Sequence, residues 1–164
     1  MGASSILATV VDPQAGLRIE AETASGHRLA FDASEAGDRE LPTAAGPTES
    51  LLAALAACTA MDVVSILRKK RQPVGRYRIA VNGERAERHP QVWERIRVEH
   101  QIDGEVEPEA LRRAIELSAT RYCPVSAMLS RSATIEHGYR LRRDGRDDET
   151  ALVAVTGPEG ATLL

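Results

Sequence analysis

The sequence predicts an α+β chain whose strands and helices are segregated along its length. Three observations carry that reading. Short alternating segments come first, a long apolar stretch with helix start and stop signals follows, and further alternating segments close the chain. The order is β-β-β, long helix, β-β, helix-helix, β. A doubly wound fold would instead alternate strand and helix throughout. At 164 residues the chain suits one domain core.

Residues 5–11, 17–23 and 27–32 alternate or are rich in β-branched side chains, and turn residues around Pro13-Gln14-Ala15-Gly16 and Ser25-Gly26 separate them. They read as an antiparallel meander. Residues 33–46 are small and polar, as a loop requires. Gly46 is placed to cap a helix, Pro47 suits its first position, and Glu49 falls where a carboxylate reaches back to the cap. Residues 51–67 are apolar apart from Asp62 and a few hydroxyl side chains. Arg68-Lys69-Lys70-Arg71 then sets cations at the negative end of the helix dipole, and Pro73 and Gly75 stop the helix.

A helix apolar on every side needs burial on every side. One small chain cannot surround it, so a partner chain is expected. Ala53, Ala54, Ala56, Ala57 and Ala60 would let another backbone approach closely.

Residues 76–81 and 92–102 alternate as strands, Pro108 opens a second helix, and Cys123-Pro124 starts a third helical element. Residues 132–141 read as a final strand. Residues 142–150 are charged and 151–155 are a candidate short strand. This gives one domain over residues 1–142 and a charged, flexible tail over 143–164.

Composition narrows the function. The net charge of -3 and the five aromatic residues oppose a nucleic-acid surface. The N-terminus has no basic segment ahead of an apolar run, so the cytoplasm is the expected compartment. Abundant Ala and Arg fit a GC-rich bacterial genome. His27, His89, His100 and His137 lack ligand spacing, two cysteines alone are too few for a four-ligand zinc site, and no glycine-rich phosphate loop follows a strand. No cofactor, metal, nucleic acid or membrane partner is expected.

Cys58 and Cys123 remain as candidate chemistry. Cys58 lies midway along the long helix without a local cation. Cys123 precedes Pro124, which makes it an N-cap, where amide groups and the helix dipole favour a thiolate. The alternative is that both are small core hydrophobes. Asp62 falls one turn after Cys58. A carboxylate there opposes thiolate formation, so Asp62 is not read as an activator.

The segment Gly46-Pro47-Thr48-Glu49-Ser50-Leu51-Leu52-Ala53-Ala54-Leu55-Ala56-Ala57-Cys58, with Tyr122-Cys123-Pro124-Val125-Ser126, resembles the two cysteine motifs of the OsmC/Ohr family. The run from Cys58 to Leu67 is most similar to its YhfA-like branch. The resemblance spans about residues 16–141. It implies an OsmC-like fold, an intertwined homodimer with antiparallel sheets wrapped around long central helices. It also implies a thiol peroxidase that reduces organic hydroperoxides in oxidative stress defence, with Cys58 as the peroxidatic thiol, Cys123 as the resolving thiol and a cellular dithiol as reductant.

The match departs from the active peroxidases at two points. Thr48 stands where their glutamate follows the proline, with Glu49 one residue later. Their activating arginine has no clean counterpart. Glu49 and Arg39 are therefore the candidates to complete the site, with Arg18 a second choice of cation. Helix capping for Glu49 and a solvated surface place for the arginines are the competing readings. A non-catalytic thiol sensor or small-molecule-binding dimer of the same fold is the alternative function.

Overall fold

The structure, a computed structural model, describes residues 4–14, 16–33 and 42–164. The chain divides into two compact units, Met1–Leu51 and Leu52–Leu164.

In the first unit, strands β1 (Ile6–Val10), β2 (Ile19–Thr23) and β3 (Arg28–Phe31) form the expected antiparallel meander, in the order β1-β2-β3. The Asp12 carboxylate accepts the Gln14 N–H at 3.0 Å in the first turn. Gly26, at φ 82°, closes the second in a conformation that side chains rarely adopt. After β3, Asp32 accepts the backbone N–H and the hydroxyl of Thr43 at 2.9 and 2.8 Å. Those two bonds hold its carboxyl below the ordinary value.

Helix α1 runs from Pro47 to Lys69. At its start the Ser50 N–H donates to the Gly46 carbonyl at 3.0 Å, and the Glu49 carboxylate accepts the Gly46 N–H at 3.3 Å. This is the return half of a capping box. At its end the Gln72 N–H donates to Leu67 O at 3.0 Å and the Arg71 N–H to Arg68 O at 2.9 Å, with Arg71 at φ 55°. That is a Schellman cap. The helix therefore closes before Pro73 and Gly75, on a left-handed arginine.

The second unit holds a five-stranded sheet in the order β4-β5-β6-β7-β8: β4 (Arg76–Arg85), β5 (Trp93–Asp103), β6 (Thr134–Arg142), β7 (Glu149–Gly157) and β8 (Gly160–Leu163). Its neighbours are antiparallel except β5 and β6, which pair in parallel from Arg95↔Thr134 to Asp103↔Arg142. A parallel pair needs a crossover. Here it consists of α2 (Pro108–Leu117), a π-helical turn (Ser118–Tyr122) and α3 (Pro124–Leu129).

Two expectations are corrected. The sheets are not wholly antiparallel, because the helices between β5 and β6 return the chain to the same end of the sheet. Residues 143–164 are not a flexible tail either. β7 pairs with β6 from Ile135↔Thr156 to Leu141↔Glu149, β8 pairs with β7, and Val153 and Ala154 are fully buried. The charges that suggested a tail sit in and beside the turn between β6 and β7. Arg142 pairs with Asp148 at 3.2 Å and Arg143 with Glu149 at 2.7 Å.

Two apolar clusters fill the second unit. Val63, Leu67, Ile102, Leu111, Ile115, Leu141 and Val153 form one, and Leu55, Ile96, Val98, Cys123, Ala133 and Ile135 form the other. Helix α1 serves both through the i, i+4 stripe Leu55, Thr59, Val63 and Leu67, each fully buried. The opposite stripe, Ala53, Ala57, Met61 and Ser65, is exposed in the single chain. Among the described residues, α1 is the one helix long and apolar enough to cross a membrane, a test that the core helix of a soluble protein also passes.

Candidate thiol site

Helix α1 places Cys58 at the edge of its buried stripe, between Leu55 and Thr59, where it packs half-buried against the second cluster. One turn on, Asp62 points the same way, as an i, i+4 pair must. The third member comes from the crossover. After α2 the chain widens into the π-helical turn, and the Cys123 N–H closes it on the Ser118 carbonyl at 3.0 Å. π-helical turns are frequent at functional sites, because the extra residue re-aims the side chains that follow. Cys123 is then the N-cap of α3, with Pro124 in the first turn, as its sequence position predicts. Cys123 is 3% exposed.

The cysteine sulfurs and a carboxylate oxygen of Asp62 lie within 4.8 Å of one another. Both cysteines are free thiols. The Ser126 N–H donates to Cys123 Sγ at 3.3 Å. Behind them is a short polar chain. The Ser118 hydroxyl donates to Asp62 Oδ2 at 3.0 Å, and Ser118 Oγ lies 2.9 Å from Thr59 Oγ1. Ser118 and Thr59 are both fully buried. Unbonded hydroxyls there would be costly, so the chain fixes the Asp62 carboxylate from inside the core.

The cap does not make Cys123 a thiolate. Burial pushes its thiol up to about 12, and the neighbouring Cys58 adds to the rise, against smaller opposing effects of the Ser126 and Val125 N–H groups. The expectation of a cap-stabilised thiolate is corrected on this point. These backbone N–H groups do not offset the desolvation of a sulfur anion in the core.

The other residues singled out from the sequence have separate places. Glu49 holds the Gly46 N–H at the start of α1. Arg18 bonds the Thr43 hydroxyl and pairs with Glu20 at 3.4 Å. Arg39 lies outside the described residues. What the sequence reading missed is the Thr59–Ser118–Asp62 chain. Its signal was present: two hydroxyl residues sit at core positions of apolar helix faces. Their pairing, 59 residues apart, is decided by packing.

A family model described as OsmC-like protein matches residues 37–138. The Escherichia coli K12 protein YhfA is 37% identical over 127 residues, covering 77% of this chain and 91% of that protein. The crystal structure of a hypothetical protein from Aquifex aeolicus superposes with a TM-score of 0.75 at 28% identity, over 88% of this chain and 99% of the other. An OsmC-like protein from Mycoplasma pneumoniae (TM-score 0.70, 18% identity, 86% and 98% covered) has the same fold. So does an organic hydroperoxide resistance protein from Elizabethkingia anophelis (TM-score 0.62, 14% identity, 85% and 96% covered). With the family's two cysteine motifs brought together on one fold, the chain belongs to the OsmC-like protein family.

Proposed function

We propose that this protein reduces organic hydroperoxides with the Cys58/Cys123 pair, as a homodimer in the cytoplasm. The observation that carries the reading is the approach of the two sulfurs to within 4.8 Å, one half-buried and one closed off. Peroxide can reach Cys58 first. Its thiolate attacks the distal peroxide oxygen, the O–O bond breaks, and the alkoxide leaves to be protonated as the alcohol. Cys58 becomes a sulfenic acid. The Cys123 sulfur then attacks Cys58, its proton and the sulfenic hydroxyl leave as water, and the disulfide forms. A cellular dithiol returns the pair to thiols.

Access supports this order, because Cys58 is half-buried and Cys123 is 3% exposed. The disulfide needs the sulfurs to close to about 2.05 Å.

The test is thiol titration before and after one equivalent of cumene hydroperoxide. Wild type should lose both thiols to an intramolecular disulfide. Cys123→Ser should stop at a sulfenic acid on Cys58, and Cys58→Ser should leave the peroxide unconsumed. Peroxide consumption that survives Cys58→Ser would overturn the assignment. Wild type that keeps both thiols would favour the non-catalytic binding dimer.

A further inference from the structure

We infer that the reduced site binds a thiophilic divalent cation of the zinc class through Cys58, Asp62 and Cys123. The peroxidase reading explains two of these side chains and leaves the third out of place. A carboxylate set against two thiols brings like charges together once the thiols ionise. Among the described residues no arginine, lysine or histidine forms an ion pair with Asp62 to remove that conflict. A dication at the point where the three meet removes it, because each negative group then faces a positive one.

The geometry fits such an ion. Zinc–sulfur bonds of about 2.3 Å put two sulfur ligands of a tetrahedral site ~3.8 Å apart. The three ligand atoms already lie within 4.8 Å of one another, so closure takes shifts on the order of 1 Å. Cys58 and Asp62 form an i, i+4 pair on one rigid helix, and Cys123 enters from the crossover. The Ser118 hydroxyl on Asp62 Oδ2 and the Ser126 N–H on Cys123 Sγ supply the outer bonds that orient metal ligands. Two thiolates select a soft or borderline ion over magnesium or calcium. Three protein ligands leave one position of a tetrahedral site open.

This inference needs the reduced dithiol alone and does not rest on peroxide chemistry. A Cys58–Cys123 disulfide would remove both sulfur ligands, so oxidised protein should not bind. The test is an anaerobic titration of the full-length reduced protein with Co2+, followed by displacement with Zn2+. A thiolate-to-cobalt charge-transfer band that saturates at one ion per chain and disappears on adding Zn2+ is expected. The disulfide form should show no band. Asp62→Asn should weaken Zn2+ binding by at least about tenfold while the far-ultraviolet circular dichroism stays unchanged. Asp62→Cys provides a readout that a merely structural Asp62 would not give: a third thiolate should raise the charge-transfer intensity by about half. Absence of the band in reduced wild type, or Asp62→Asn binding as tightly as wild type with an unchanged Asp62→Cys spectrum, would overturn the site.

Discussion

His100 and His137 sit in the sheet of the second unit as fully buried histidines. His100 Nδ1 meets the Tyr77 hydroxyl at 2.5 Å, while His100 Nε2 and His137 Nδ1 have no hydrogen-bond partner among the described residues. Burial holds the folded values down, to about 3 for His100, with the His137 charge adding to the effect, and to about 4 for His137. Unfolded histidine titrates near 6.5. Above that pH both states are neutral and the stability is fully present. Below it the unfolded chain takes up protons that the folded chain refuses, so stability falls as pH drops from 6.5 towards 4 and 3. The loss should amount to several kcal/mol. Asp32 and Asp148 have depressed folded values, so their contribution is present above 3.8 and lost only below it. Thermal unfolding between pH 7 and pH 4 should therefore show a falling midpoint, and His137→Phe should flatten the slope. A midpoint unchanged down to pH 4 would mean that the histidines are hydrated or paired.

At the scale of elements, two ends behave differently from their local signals. The Schellman cap of α1 places Arg71 at φ 55°. A left-handed residue with a Cβ carries roughly 1 kcal/mol of strain that glycine avoids. Arg71→Gly should therefore stabilise the protein by ~0.5–1 kcal/mol in urea unfolding, although it removes a cation from the helix end. The β7–β8 hairpin is the second case. Val153 belongs to the same buried cluster as Leu67 and Leu111, so the hairpin is part of the core. Truncation after Arg142 would uncover that cluster and leave β6 with an unpaired edge. The truncated chain should be insoluble or molten, with lost near-ultraviolet circular dichroism. A flexible tail, by contrast, would be removed without effect.

For the whole molecule, the decisive feature is the uncovered face of α1. Met61 is 74% exposed and Leu51 45% exposed in the single chain. A solvated helix would carry charge along such a stripe. Here it carries Ala53, Ala57, Met61 and Ser65, and the two alanines and the serine are small enough to admit another backbone. A second copy of the chain is the proposed cover. Sedimentation should find a dimer at micromolar concentration. Ala57→Glu would bury an unpaired charge in that contact, at a cost of several kcal/mol, and should give monomer or unfolded chain. A wild-type monomer that is stable and soluble would end the dimer proposal.

The sequence by itself determined the local architecture. Gly46-Pro47 and Glu49 start α1, Cys123-Pro124 starts α3, and alternation marks β1 to β6. These are short-range effects of capping, ring geometry and side-chain period, all legible within a few residues. The two cysteine motifs also identified the family. Only the tertiary structure decided the rest. The parallel pairing of β5 with β6, the burial of the β7–β8 hairpin and the meeting of Cys58, Asp62 and Cys123 join residues far apart in the chain. The raised thiol of Cys123 belongs with them. Its cap was visible in the sequence, but desolvation depends on what packs around the sulfur, and that is set by segments with no local signal at Cys123.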